Sequence, residues 1–356
     1  MSGKTILIMA GGTGGHIFPA LAVAEILRSE GWRVLWIGNP DSMEARLIPR
    51  HGFPLLPLPF PALRGKGLIR KIMLPFHLAR AFLRLRQEFK RIAPHVVLGL
   101  GGYISFPGGV MARHLGIPLV IHEQNAVPGL ANRVLSFLAK RVLTGFPKAL
   151  PRSRWVGNPV RGDISRVAPP EERMRDREGP LRLLVIGGSL GARVLNEIVP
   201  QGLMLIAPER RPEVVHQAGT RHLARLEENY AAFKAEGGTV HCVDFIEDMA
   251  GAYAWADIAI CRAGALTIAE LSTVGLASVL VPYPHAVDDH QRHNALFLTR
   301  AGGAFLLAQD EMTPKSVALI DNYHRPQLME MAKQARALAR PEAAREVAET
   351  CKEVAL

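Results

Sequence analysis

Two stretches of small residues carry side chains able to do chemistry. The first, Gly11-Gly12-Thr13-Gly14-Gly15-His16, ends a run of small residues with an imidazole. Glycines let a ligand come close to the main-chain amides. An imidazole ordinarily titrates near neutrality, which suits it to take a proton from a reacting hydroxyl. A bare phosphate cradle has no need of that group. The second stretch, Cys261-Arg262-Ala263-Gly264-Ala265-Leu266-Thr267-Ile268-Ala269-Glu270, sets small residues where a helix begins and a carboxylate about one turn inside it. A helix N-terminus attracts phosphate. A carboxylate there can accept two hydrogen bonds from a ribose diol, as an acidic residue does for the ribose of NAD. The bland alternatives are a tight strand–helix turn with a surface histidine and a solvent-facing glutamate.

Two further polar clusters follow apolar runs. His122-Glu123-Gln124-Asn125 comes after Leu119-Val120-Ile121, where α/β sheets present groups to ligands; loop hydrogen bonding is the other reading. His285, Asp288, Asp289, His290 and His293 invite a metal, but their spacing fits no zinc signature and no metal site is expected. Gln291 and Asn294, three apart on one helix, instead share a face able to hydrogen-bond a sugar.

These residues need elements to hold them. Thr5-Ile6-Leu7-Ile8-Met9 reads as a buried strand, and Ala20 to Arg28, with Pro19 in the first turn, as the helix after the glycines. The dinucleotide pattern G-x-G-x-x-G is absent. Arg33 to Ile37 completes a βαβ unit, and Asp41-Ser42 caps a helix near Met43. Val96-Val97-Leu98 leads to a second glycine turn, Gly99-Leu100-Gly101-Gly102-Tyr103, with helices opening near Pro107 and Pro128. After Gly157-Asn158-Pro159-Val160-Arg161, residues 162–180 have linker composition. Leu181 to Ile186, Gly187-Gly188-Ser189-Leu190-Gly191 and a following helix then repeat the opening. The repetition predicts an α/β fold of two facing Rossmann-like domains with a cleft between them. Strands at Thr239 to Val243, Asp257 to Ile260 and Val279 to Val281 continue the second half, and Pro341 breaks the chain before a last helix, Glu342 to Val354.

The net charge of +11 calls for an anionic partner. Most of it lies in residues 63–92, where nine basic residues face a single acid, Glu88. Ile72, Phe76, Ala79 and Leu83 fall on one helical face, a basic amphipathic pattern suited to an anionic membrane surface. A core-packing helix with a charged back is the plainer reading. Nucleic acid fits poorly, because aromatic residues do not interleave with the basic ones. Three scattered cysteines, no signal-peptide pattern and no apolar span suggest a reducing cytoplasm.

The segments GGTGGHIFPA, LGLGGYISFPG, HEQNAVPGLAN, GNPVR, GGSLGARVLNE, CRAGALTIAE and the Gln291–Asn294 pair stand in the order and approximate spacing of the MurG family. Over nearly its whole length the chain resembles these bacterial UDP-N-acetylglucosamine transferases, which turn lipid I into lipid II. It departs from the pattern around Asp289-His290-Gln291-Arg292, where the family commonly carries more glutamine. The resemblance implies a GT-B fold, with residues 1–161 plus 341–356 as the acceptor and membrane-associated domain and 162–340 as the donor domain. It implies inverting transfer from UDP-GlcNAc to the muramyl 4-hydroxyl of lipid I, at the cytoplasmic face of the inner membrane, without a metal or other cofactor. Carried over by position, Thr13, Gly14, Gly15, Asn125 and Arg161 would line the cleft, with Ser189 at the pyrophosphate. Ile246 would pair its backbone with uracil; Ala265, Leu266, Thr267, Ile268, Ala269 and Glu270 would hold diphosphate and ribose; Gln291, with Asn294 as a further contact, would touch the sugar. His16 is the candidate general base. The rivals are another GT-B transferase with a lipid acceptor, a nicotinamide-dependent dehydrogenase and a non-catalytic membrane-surface scaffold.

Overall fold

The computed structural model describes residues 3–60, 68–188 and 191–355, apart from the side chains of 68–74. The chain divides into two compact units, residues 1–161 with 341–356 and residues 162–340. Runs that are apolar on both faces form parallel strands, because helices cover both sides of such a sheet. In the first unit these are β1 (Thr5–Met9), β2 (Arg33–Gly38), β3 (Leu55–Pro57), β4 (Val96–Gly99), β5 (Leu119–Glu123), β6 (Arg141–Thr144) and β7 (Arg154–Trp155). They lie in the order β3-β2-β1-β4-β5-β6-β7, every described pairing parallel. The second unit holds β8 (Arg182–Ile186), β9 (Glu213–Gln217), β10 (Val240–Val243), β11 (Ile258–Cys261), β12 (Ala277–Leu280) and β13 (Ala304–Leu306). Their order, β10-β9-β8-β11-β12-β13, repeats the same winding. In each unit the chain starts mid-sheet, runs to one edge and returns to the other side. Loops leaving the two middle strands therefore diverge and open a crevice at their carboxyl ends.

Alternation along β1 builds two core layers. Ile6 and Ile8 pack with Ile17, Leu21 and Leu27 of helix Gly14–Ser29, and with Val347, Cys351 and Val354 of helix Ala343–Val354. The last helix thus belongs to the first unit, and Lys352 Nζ bonds Glu30 Oε2 at 2.7 Å. Leu7 and Met9 face the opposite layer, where Ala81, Leu85 and Phe89 of helix Leu68–Ile92 are buried. That helix is amphipathic twice over. On its other side Phe76 is 60% and Leu83 65% exposed, among exposed Arg80, Arg84 and Arg86. Of the face expected from the sequence, Phe76, Ala79 and Leu83 lie outward, while the side chain of Ile72 is outside the described residues, as are Arg64 and Lys66. Among the described residues no helix is long and apolar enough to cross a membrane.

Residues 162–180, linker-like in composition, are fastened to the second unit. Arg173 donates to the carbonyls of Val274 (2.6 Å) and Gly275, satisfying the end of helix Ala265–Val274. Arg177 bonds fully buried Asp257 at 2.7 Å, and Arg325 and the Arg182 amide take the other carboxylate oxygen. Proline and charge density here reflect guanidinium anchors, which composition does not separate from a solvated linker.

Candidate active site

At the switch point of the first unit two glycine turns meet. Thr13, exposed and extended, starts helix Gly14–Ser29 and accepts at its carbonyl from the amides of His16 and Ile17. Glu44, fully buried beneath the turn, takes the amides of Gly12 (3.1 Å) and Asn39 (3.2 Å) on its two oxygens. From the other side comes the turn after β4. Gly102 has φ +80, and a Cβ there would run into the Gly11 carbonyl; Gly101 has φ +98, and its Cβ would stand 3.1 Å from His16 Cε1. Glycine at these two places lets the turns close on each other and on the imidazole. Gly14, Gly15 and His16 are half-buried, so their outer atoms remain open to a ligand.

The His122–Asn125 cluster behaves differently from expectation. β5 runs on to Glu123, and His122, Glu123 and Gln124 are interior. The Glu123 carboxylate is held by the Asn125 amide (2.9 Å) and Nδ2 (3.3 Å) on one oxygen, and by the Gly129 amide (3.2 Å) and Asn132 Nδ2 (2.9 Å) on the other. It fixes the loop from within, and only Asn125, half-buried, reaches outward. His122 and Gln124 point the opposite way at the carboxyl end of β5: His122 Nε2 bonds the Gly157 carbonyl at 2.9 Å, its Nδ1 meets Gln124 Nε2 at 3.0 Å, and Gln124 Oε1 meets His16 Nδ1 at 2.8 Å. Burial pushes the His122 imidazole down to about 4; the Gly157 carbonyl opposes this and neighbouring His16 adds to it. Arg161 closes the first unit, half-buried.

In the second unit helix Ala265–Val274 begins after Gly264, which has no side chain to cap it. Ala265 and Ile268 are buried there, whereas Leu266, Thr267 and Ala269 are half-buried. The side chain of Ile268 is core, which leaves only its main chain for a ligand. Glu270 is 7% exposed, far from the solvent-facing alternative, and one of its oxygens accepts from the Tyr253 hydroxyl at 2.9 Å. Ile246, half-buried, lies in the loop after β10. Ser189 falls outside the described residues.

Helix His290–Thr299 separates the expected sugar pair. Gln291 is half-buried at the outer end, where its Oε1 accepts from the Tyr283 amide at 2.9 Å. Asn294 is fully buried, and its Nδ2 donates to the Ala263 carbonyl at 3.2 Å. A three-residue step places both on neighbouring positions, but the helix dips inward between them, so Asn294 holds the Ala263 loop and offers no surface to a sugar. Arg262 supports the same region, donating to the carbonyls of Val281 (3.0 Å) and Pro282 (3.2 Å) and to Gln309 Oε1 (2.7 Å). His290 and His293 bond main-chain carbonyls of their own turn, and among the described residues no three His, Cys, Asp or Glu side chains are grouped to hold a metal.

Sequence reasoning passed over Glu44 and Tyr253. Glu44 lies just inside the helix whose Asp41-Ser42 cap was legible, but nothing local ties it to a turn more than thirty residues earlier. Tyr253 reaches Glu270 from another helix, Met249–Trp255.

The description Glycosyltransferase family 28 N-terminal domain matches residues 6–144, and the Glycosyltransferase family 28 C-terminal domain matches 182–350. A relative from Dechloromonas aromatica (strain RCB), named UDP-N-acetylglucosamine--N-acetylmuramyl-(pentapeptide) pyrophosphoryl-undecaprenol N-acetylglucosamine transferase, is 61% identical over 352 residues, 99% of each chain. The chain belongs to glycosyltransferase family 28, and within it to the MurG family. A relative of the same name from Aromatoleum aromaticum (strain DSM 19018 / LMG 30748 / EbN1) is 57% identical, covering 99% of this chain and 98% of its own. The crystal structure of Acinetobacter baumannii MurG aligns with a TM-score of 0.87 at 40% identity over 98% of this chain and 99% of that one. The two doubly wound units are therefore those of a GT-B glycosyltransferase. In this family 28 chain the C-terminal description runs to residue 350, although helix Ala343–Val354 packs in the first unit.

Proposed function

We infer that the protein transfers N-acetylglucosamine from UDP-N-acetylglucosamine to the 4-hydroxyl of the N-acetylmuramyl group of lipid I, with inversion, giving lipid II and UDP. The observation that carries this reading is 61% identity, over 99% of both chains, to a relative whose name states those substrates. The acceptor hydroxyl oxygen bonds to C1 of the sugar as the bond from C1 to the phosphate oxygen breaks. UDP leaves with that electron pair, and His16 takes the hydroxyl proton, an effect worth about 10²–10⁴ in rate.

Each unit contributes what its turns can hold. Thr13, Gly14, Gly15, Asn125 and Arg161 contact UDP-N-acetylglucosamine, the donor. The start of helix Ala265–Val274 takes the diphosphate on amides already oriented for it, with Ser189 as a further contact, a form of charge stabilisation that needs no divalent ion. Glu270, aimed by Tyr253, accepts from the ribose; Ile246 pairs its main chain with uracil; Gln291 touches the sugar. Asn294 is assigned to holding the Ala263 loop. The enzyme is peripheral at the cytoplasmic face of the inner membrane. Exposed Phe76 and Leu83 enter the acyl boundary while Arg80, Arg84 and Arg86 meet anionic headgroups.

The test is UDP release from UDP-N-acetylglucosamine with and without a lipid I analogue, in EDTA. Release that requires the analogue and survives EDTA is expected. Release without acceptor would point to hydrolysis, and loss in EDTA would overturn the metal-free reading.

A further inference from the structure

The hydrogen bonds behind His16 run in one direction only. A main-chain carbonyl can only accept, so the 2.9 Å contact to Gly157 puts the His122 proton on Nε2. His122 is fully buried and held neutral, down to about 4, so its Nδ1 presents a lone pair. Gln124 Nε2 donates to that lone pair at 3.0 Å and to the His122 carbonyl at 3.1 Å. Both of its acceptors are fixed, which sets the amide in one orientation and turns Oε1 toward His16. An amide oxygen accepts and never donates. The hydrogen in the 2.8 Å contact to His16 Nδ1 therefore belongs to the histidine.

We propose that the Gly157–His122–Gln124 chain is a tautomer lock, which keeps the proton of neutral His16 on Nδ1 and presents Nε2 as the basic atom. The lock deepens the reading of His16 as the base and rests on it. A free imidazole favours its proton on Nε2 and would then offer the acceptor a donor instead of a base. With the lock in place, Nε2 takes the hydroxyl proton while Gln124 Oε1 keeps accepting from Nδ1–H, so the imidazolium forms without any second proton moving. Gln124 and His122 are 1% and 0% exposed and act only through His16, as positioning residues. The arrangement parallels the general case of a base oriented by a third group.

The test begins with the unaltered enzyme labelled with ¹⁵N-histidine, the His16 signals being assigned by their loss in His16→Asn. A protonated Nδ1 and an unprotonated Nε2 are expected; the reverse overturns the lock. Gln124→Met keeps the side-chain length and removes the acceptor. It should shift the His16 proton toward Nε2 and lower kcat about 10- to 100-fold with the donor KM within about twofold, since part of a general-base effect is lost. An unchanged kcat, or a lowered melting temperature with the His16 tautomer unchanged, overturns it and leaves Gln124 a packing residue. His16→Ala separates the two claims: wild-type kcat there would remove the base itself, whereas a large loss there with none in Gln124→Met would remove the lock alone.

Discussion

Each unit buries a histidine on a strand near its glycine turn, and the two are put to opposite ends. His122 and His216 are both fully buried, and burial pushes them to about 4 and about 3. Both are neutral connectors between one donor and one acceptor. From His122 the bonds lead outward through Gln124 to half-buried His16. From His216 they lead inward, from Nδ1 to the Tyr230 hydroxyl at 3.0 Å and from Nε2 to Asn196 Oδ1 at 3.1 Å, with Asn196 Nδ2 on the Ala218 carbonyl at 2.9 Å. Tyr230 is itself fully buried, and burial raises its hydroxyl pKa well above the ordinary value. The same device orders a proton at a surface in one unit and closes a core in the other. A buried histidine is thus informative through where its hydrogen-bond chain ends.

The comparison breaks most directly at half-buried His16 and at fully buried His216. His16→Ala should lower kcat about 10²–10⁴-fold with little change in donor KM, as loss of a general base does; steady-state kinetics with a lipid I analogue would show it. Glu270→Ala should raise the donor KM about 10- to 100-fold and affect kcat less, because hydrogen bonds to a charged group contribute about 1.5–3 kcal/mol. His216→Phe should cost stability in place of rate, about 1–3 kcal/mol in urea unfolding, from removing the imidazole partner of the Tyr230 hydroxyl and of Asn196 Oδ1.

Acid sharpens the same point. Below an ordinary histidine pKa of about 6.5 the unfolded chain binds protons that folded His122 and His216 refuse until about 4 and about 3. The unfolded state then binds more protons, so stability rises with pH across this window. It is complete above about 6.5 and lost progressively as pH falls toward 4 and 3. Urea midpoints between pH 7 and 4 should fall in the parent and fall less steeply in His216→Phe. The smallest effect expected is at the membrane face: binding to anionic vesicles should weaken several-fold with added salt and in Phe76→Ser, as each basic contact there contributes about 1 kcal/mol. Equal binding to neutral vesicles would remove its electrostatic half.

The fold was largely legible because glycine turns after apolar runs are local signals, and both halves carry them. β1, β2, β4 and β8 lie where the apolar runs placed them. β9 has only two adjacent valines, Val214 and Val215, flanked by Glu213, His216 and Gln217, and gives no comparable run. The site was legible in its residue types and poorly legible in its connections. His16 and Gln124 are 108 positions apart, and nothing local says that one orients the other. For the same reason burial was misjudged: Gln124 and Asn294 look like ligand groups in sequence and are interior in the fold. Polarity alone does not separate a side chain that meets a ligand from one that satisfies a carbonyl.

Helix Ala343–Val354 has a consequence for how the molecule is made. It covers the layer containing Ile6 and Ile8, yet it follows the entire second unit in the chain. A ribosome therefore delivers every strand of the first sheet, then all of residues 162–340, before the segment that seals the first sheet appears. At about 5–20 residues per second that apolar layer waits roughly 10–40 s for its cover. The unit begun first is completed last, and a nascent chain that stalls anywhere in the second unit presents an open first core to the chaperones and proteases around it.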